Sequence, residues 1–324
     1  MKPDSLLATA IFMGLMSLMI VSPSRQPAFA QSQVVPSAGT SRAARPVTIP
    51  ISIRVKGAKP EPEMEIRNIG DLAVTEDGDP QTVLSIRAIG TNSPLTLAVL
   101  IQDDVVSSIS NEIRSLREFI TRLPRGSRVL IAYLRSGSLQ VRQRFTTDLE
   151  KAAKALRAPV GFASAAPYNP YVEVIEAVRR FDSQPTGRRA ILLVSDGLDV
   201  SHGAESSSAT QSIDLQRAIN QAQRRSIAVY GFYAPTVGGG DRILAANAQG
   251  ALLRLAEETG GRAFFQGTGA PVSFDPFIKE LTISLDQQLA LTYLSTHTEK
   301  GYHRIQVRSL SAGVHIDHPS GYTR

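Results

Sequence analysis

Four short, largely apolar runs constrain this chain more than anything else in it: LTLAVLI (95–101), RVLIAYL (128–134), AILLVS (190–195) and IAVYGFY (227–233). Each is apolar on successive residues, as a strand covered on both faces must be; a strand with one wet face would alternate. Amphipathic segments separate the runs. Val106, Ile109, Ile113, Leu116 and Ile120 recur every three or four residues and form one helical stripe. Thr147-x-x-Glu150 reads as a capping box for a helix carrying Leu149, Ala152, Ala153 and Leu156, and the same periodicity predicts helices at about 170–181, 212–224, 249–259 and 274–289. Gly260 and Gly261 supply a stop signal for the helix before them. Strands alternating with helices imply right-handed crossovers, so the expected fold class is α/β, a doubly wound and mainly parallel sheet flanked by helices. The hairpin RVLIAYLRSGSLQVRQRF, turning at Ser136-Gly137, adds an antiparallel edge strand.

The flanks read differently. VTIPISIRVKG (47–57) alternates as a strand, and Leu72 to Ile89 reads as two strands around the turn Asp77-Gly78-Asp79-Pro80. After the last helix the pattern returns to β in LALTYLS (289–295), YHRIQVRSL (302–310) and VHI (314–316). The expected organisation is a signal peptide over 1–30, a disordered linker over 31–46, a small β region over 47–90, the α/β domain over 93–288 and C-terminal strands over 289–318. The two β flanks are expected to pair into one small accessory region beneath the α/β domain, because strands distant in sequence around an inserted domain need each other.

The leader is the basis for an exported protein. Lys2 precedes the apolar run LLATAIFMGLMSLMIV, and Ala28-Phe29-Ala30 stands where a small-residue cleavage site belongs. The run is short for a membrane span and no later run approaches that length, so no stable membrane insertion is expected once the leader is cut. The chain has no cysteine, which excludes a disulfide framework, thiolate metal sites and cysteine nucleophiles. Its formal net charge of +6 is spread over scattered arginines without interleaved aromatic platforms, which argues against nucleic acid as a partner.

In open α/β sheets ligands bind beyond the carboxyl ends of the strands. Asp103 and Asp104 follow the first core run, and Ser195-Asp196-Gly197 follows the third. Aspartates there, with nearby serine hydroxyls, offer hard oxygen ligands to a cation such as magnesium. The order of elements and the stretches LAVTEDGDPQ, IQDDVVSS, RFTTDLEKAAKALRAPVG, GRRAILLVSDGLD and RLAEETGGRAFFQG, with the tail from LALTYL to QVRS, resemble a von Willebrand factor A domain. More narrowly they resemble the exported von Willebrand factor A-related proteins of Acidobacteria. The resemblance spans roughly residues 70 to 310 and implies a Rossmann-like fold that carries a metal-ion-dependent adhesion site at its strand ends.

That family's site uses Asp-x-Ser-x-Ser, a loop threonine and a distal aspartate. The resemblance puts Asp103 at the first aspartate, Ser107 at the second serine, Asp196 at the distal aspartate and Asn169 at the threonine. Asp104 and Ser108 would belong to the partner-binding face. Val105 stands where the first serine should be, and starting from Asp104 puts Val106 there instead, so the site is degenerate. The expected cofactor is a magnesium or manganese ion on this incomplete set. The competing reading is that Asp103, Asp104 and Asp196 only cap helices or satisfy strand-end amides.

Other motifs carry less. Gly238-Gly239-Gly240 lacks the lysine and hydroxyl of a phosphate cradle, and no G-x-S-x-G or H-E-x-x-H is present. His315, Asp317 and His318 read as solvated tail residues, His202 and His297 as loop residues, and Glu173 with Glu176 as a solvated helix face. The expectation is therefore a non-enzymatic, exported protein-binding module with an unknown protein partner. The alternatives are a metal-assisted hydrolase using Asp103, Asp104 and Asp196, or a structural envelope protein with a decayed site.

Overall fold

The computed structural model describes residues 44–55, 71–89, 93–185, 187–203, 207–236, 241–311 and 313–324. The leader and nearly all of the expected linker lie outside them. The apolar runs become β4 (Leu95–Gln102), β5 (Arg128–Arg135), β7 (Arg188–Ser195) and β8 (Ile227–Tyr233), which pair in parallel, with the short β9 (Ala263–Phe264) beside β8. β6 (Ser138–Thr146) pairs antiparallel with β5 and forms the edge, so the six-stranded order is β6-β5-β4-β7-β8-β9.

Helices cover both faces of this sheet, which explains its continuous apolarity. Leu97, Val99 and Ile101 of β4 face a core built with α1 (Ile113–Thr121), α2 (Leu149–Ala155) and α6 (Asp275–Asp286). The intervening Ala98 and Leu100 face the opposite core, with α3 (Pro170–Arg179), α4 (Ile213–Arg224) and α5 (Arg242–Thr259).

The flanks form a second sheet of seven strands, larger than the small accessory region expected. β1 (Arg45–Val55), β2 (Leu72–Glu76) and β3 (Asp79–Ala88) join β10 (Gln288–Ser295), β11 (Tyr302–Ser309), β12 (Val314–Asp317) and β13 (Gly321–Thr323). The order is β12-β1-β10-β3-β2-β11-β13, with every pairing antiparallel. Ile49, Ile51, Val74, Leu291, Tyr293 and Ile305 make its core. Arg188, at the start of β7, ties the two sheets by donating to the carbonyls of Ser93 and Leu285 at 2.8 and 2.5 Å and to Gln288 Oε1 at 3.3 Å.

Several local expectations need correction. β1 begins at Arg45, inside the segment expected to be linker. The stripe from Val106 is not one helix, because a 3-10 turn over Ser107–Glu112 precedes α1. Asp148, not Thr147, caps α2, its Oδ1 accepting from Lys151 N at 2.9 Å. α5 starts at Arg242 behind the cap Asp241, well before residue 249, and ends at Gly260 with φ +80°. Glu173 is buried rather than solvated. His318 is not a solvated tail residue either: its Nε2 accepts from Val307 N at 3.2 Å and its Nδ1 lies 2.8 Å from the Pro319 carbonyl oxygen.

Candidate functional site at the strand ends

The carboxyl ends of β4, β7 and β8 converge, and their loops are laced together. Val105 forms an isolated bridge with Thr236, and Val106 N donates to Pro235 O at 2.9 Å. Asp103, Asp104 and Asp196 are all buried at this edge.

Asp103 is fully buried and faces two arginines, Arg157 closely and Arg135 with Nη1 3.8 Å from Oδ2. Arg157 donates Nη1 to Oδ1 and Nη2 to Oδ2, both at 2.7 Å, while Val160 N adds a bond to Oδ1 at 3.1 Å. The guanidinium stacks over the Tyr133 ring at 4.0 Å, and the Tyr133 hydroxyl lies 2.6 Å from Arg157 O and 2.7 Å from Arg157 N. A bidentate pair on an aromatic platform is the strong form of such a bond. It anchors the loop after α2 to the end of β4.

Asp104 and Asp196 occupy a different environment. Ser195 Oγ donates to Gln102 Oε1, and Gln102 Nε2 donates to Asp104 Oδ1 at 2.9 Å. Gly197 N donates to Ser195 Oγ at 2.9 Å, and Leu198 N to Asp196 Oδ1 at 3.0 Å. Glycine is required at 197, where φ is +73° and a Cβ would lie 2.4 Å from Leu252 Cγ. Burial pushes the Asp104 carboxyl above its ordinary value. Burial also pushes Asp196 up to about 7; the nearby Asp104 charge adds to this, and hydrogen bonding by Leu198 N, Gln102 and Thr236 opposes it. Asp196 lines a cavity of about 270 Å³ together with Tyr233, Thr236, Asp241 and Arg242. A wider cleft of about 650 Å³ between α1 and α6 contains none of these aspartates.

The remaining expected ligands are dispersed or engaged. Ser107 and Ser108 are exposed at the start of the 3-10 turn. Asn169 caps α3, its Oδ1 accepting from Tyr171 N at 3.1 Å and its Nδ2 donating to Asp214 Oδ2 at 2.9 Å. Val105, where the adhesion motif places a hydroxyl, is fully buried. These residues do not fit a magnesium ion: the first carboxylate already holds a guanidinium, and the amide oxygen offered for the threonine holds a backbone N–H. Residues that sequence reasoning missed are Gln102, Thr236 and above all Arg157. The one signal for Arg157 was that a buried strand-end aspartate needs a positive partner.

The strand-end face also gathers apolar side chains. Phe162, Tyr168, Ile213, Ile243, Phe265 and Val272 are exposed, and all belong to loops or first helical turns beyond the carboxyl ends of the parallel strands.

No protein-family model matches the chain, and no curated protein matches it. Among solved structures it is similar to BatB from Bacteroides thetaiotaomicron at 16% identity, covering 59% of this chain and 97% of that one with a TM-score of 0.41. It is also similar to an aerotolerance-related membrane protein from Bacteroides fragilis, at 14% identity, 59% and 98% coverage and a TM-score of 0.38. The SpRpn10 VWA domain gives 9% identity, 58% and 93% coverage and a TM-score of 0.40.

Proposed function

We propose that the chain is an exported, non-enzymatic protein-binding module of the von Willebrand factor A type, which engages a protein partner through the strand-end face of its parallel sheet. The observation that carries this reading is the concentration of exposed apolar side chains there, with Phe162 67%, Ile243 72% and Val272 91% exposed. Exposed apolar groups collected on one face of a folded domain mark interaction sites. On this reading the degenerate adhesion site works without a cation, since Arg157 supplies the positive charge that a metal would bring to Asp103. Export rests on the leader pattern. No helix among the described residues is long and apolar enough to cross a membrane.

The test is capture of envelope proteins by the wild-type chain in chelator, beside Phe162→Ser and Ile243→Ser. Capture that persists in chelator and falls in both variants supports the reading. Capture that needs magnesium, or ignores both variants, counts against it.

A second reading, a hydrolase, is favoured by one observation: an aspartate held near 7 beside a cavity could move protons at neutral pH. Turnover of generic ester or phosphoester substrates, abolished by Asp196→Ala, would establish it in place of the first.

A further inference from the structure

The antiparallel sheet brings together a set of ligating side chains that the strand-end face does not use. Asp77 lies in the turn between β2 and β3, while His297 and His303 come from the β10–β11 connection and the start of β11. One ligating atom from each of the three lies within 4.8 Å of the other two. Asp77 Oδ1 accepts from Arg304 N at 2.7 Å, which fixes the carboxylate. Its Oδ2 then sits 2.8 Å from His303 Nδ1 and 3.8 Å from His297 Nδ1. Ligands arranged tetrahedrally at zinc distances stand about 3.3 Å apart, a spacing those two distances bracket.

The His303 ring is oriented by a backbone carbonyl. Its Nε2 is 2.9 Å from the Glu299 carbonyl oxygen, which can only accept, so that nitrogen bears the hydrogen. Its Nδ1 then turns a lone pair toward a carboxylate oxygen, and only a cation or an added proton between them makes that contact favourable. A backbone carbonyl holding one ring nitrogen while the other faces outward is the arrangement by which metal-binding histidines are oriented.

A second observation is independent of the ring. Glu76, the residue before Asp77, is fully buried, with the Tyr293 hydroxyl beside its carboxylate. Its Oε1 accepts from the Tyr322 hydroxyl at 2.8 Å and lies 3.6 Å from His303 Nδ1. His297 Nε2 is a buried atom without a hydrogen bond, 3.4 Å from Asp79 Oδ2. Three carboxylates thus converge on two imidazoles.

We propose that Asp77, His297 and His303 bind a divalent transition-metal ion of the zinc type, tying the β2–β3 hairpin to the β10–β11 connection. Imidazole with carboxylate suits zinc, cobalt or nickel rather than magnesium, which prefers oxygen alone. Three protein ligands leave a fourth position for water.

The test is titration of the chelator-stripped protein with Zn2+ by calorimetry and with Co2+ by visible absorption. The expected result is saturable one-to-one binding, tetrahedral cobalt bands and a higher Tm with Zn2+. His303 is buried and its loss could disturb folding, so His297→Gln and Asp77→Asn carry the comparison. Each should weaken binding by more than the roughly 10–100-fold that loss of an outer-shell partner costs. Asp104→Asn, on the other sheet, should leave binding unchanged. Absence of saturable binding by the folded wild type, or equal binding by wild type, His297→Gln and Asp77→Asn, would overturn the proposal.

Discussion

The two carboxylate clusters of this molecule differ in the kind of group that faces each carboxylate. At the ends of the parallel strands, Asp103 holds Arg157, Asp104 holds Gln102, and Asp196 accepts from Leu198 N. On the antiparallel sheet, His297 keeps a ring nitrogen without a hydrogen bond, and His303 turns one toward the Asp77 carboxylate. The first cluster stands beyond the carboxyl ends of the parallel strands, where open α/β sheets bind ligands, yet its Asp103 is filled by the chain's own guanidinium, and burial holds Asp104 and Asp196 above their ordinary values. The second stands where no motif points, yet its donors are set for an ion. Position in a fold nominates a site; the partners of each atom decide what it can hold.

The largest expected effect breaks the first cluster open. Arg157→Met leaves the buried Asp103 with only the more distant Arg135, 3.8 Å from Oδ2, and should destabilise the protein by about 3 kcal/mol in urea unfolding. Asp103→Asn should cost less, because the released guanidinium is about one-third exposed and can reach water. Equal costs for the two would refute the description of Asp103 as the dependent partner.

Next come the buried acids with raised values. The Asp196 carboxyl is near 7 when folded and 3.8 in its ordinary state, so the folded chain keeps a proton that the unfolded chain releases. Stability is then greatest below about pH 4 for this group and falls as pH rises toward 7. Asp196→Asn should remove that loss, a gain on the order of 1–2 kcal/mol at pH 8 that vanishes at pH 4.

Glu173 follows the same sign over a different window. Burial pushes it to about 8, and the backbone amides of Arg135 and Ser138 oppose this without completing a hydrogen bond to either oxygen. Glu173→Gln should therefore gain stability between pH 4.5 and 8, by about 1 kcal/mol or more at the upper end. A flat difference between variant and wild type across that range would contradict the assignment.

The smallest effect concerns the exposed hydroxyls. Ser107→Ala and Ser108→Ala should each change stability by no more than about 0.5 kcal/mol, and neither should alter Zn2+ binding at the other sheet. A clear loss of stability in either variant would mean that these hydroxyls are engaged.

The parallel sheet was legible because coverage on both faces writes itself as continuous apolarity, as in LTLAVLI and AILLVS. The flanking strands could be read one by one from their alternation. Their joint size could not, because β1 pairs with β10 across most of the chain and such partners leave no local trace. The strand-end aspartates were legible as a place, through the acid-rich turns after β4 and β7. Their chemistry was not: Arg157 lies 54 residues from Asp103, and nothing local links them. The same limit hid the second cluster, since His303 stands 226 residues from Asp77. The spacing of Glu173 to Glu176 suits a wet helical face, whereas Glu173 lies against the backbone of Arg135 and Ser138 in the β5–β6 hairpin.

With Asp103 held by Arg157 and Asn169 Oδ1 held by Tyr171 N, the strand-end set should hold no magnesium or manganese. Calorimetric titration of the folded wild-type protein with Mg2+ and Mn2+ at millimolar concentrations tests it most directly. No saturable heat is expected at that site. One-to-one binding that disappears in Asp196→Ala, while His297→Gln retains it, would place a cation at the strand ends after all.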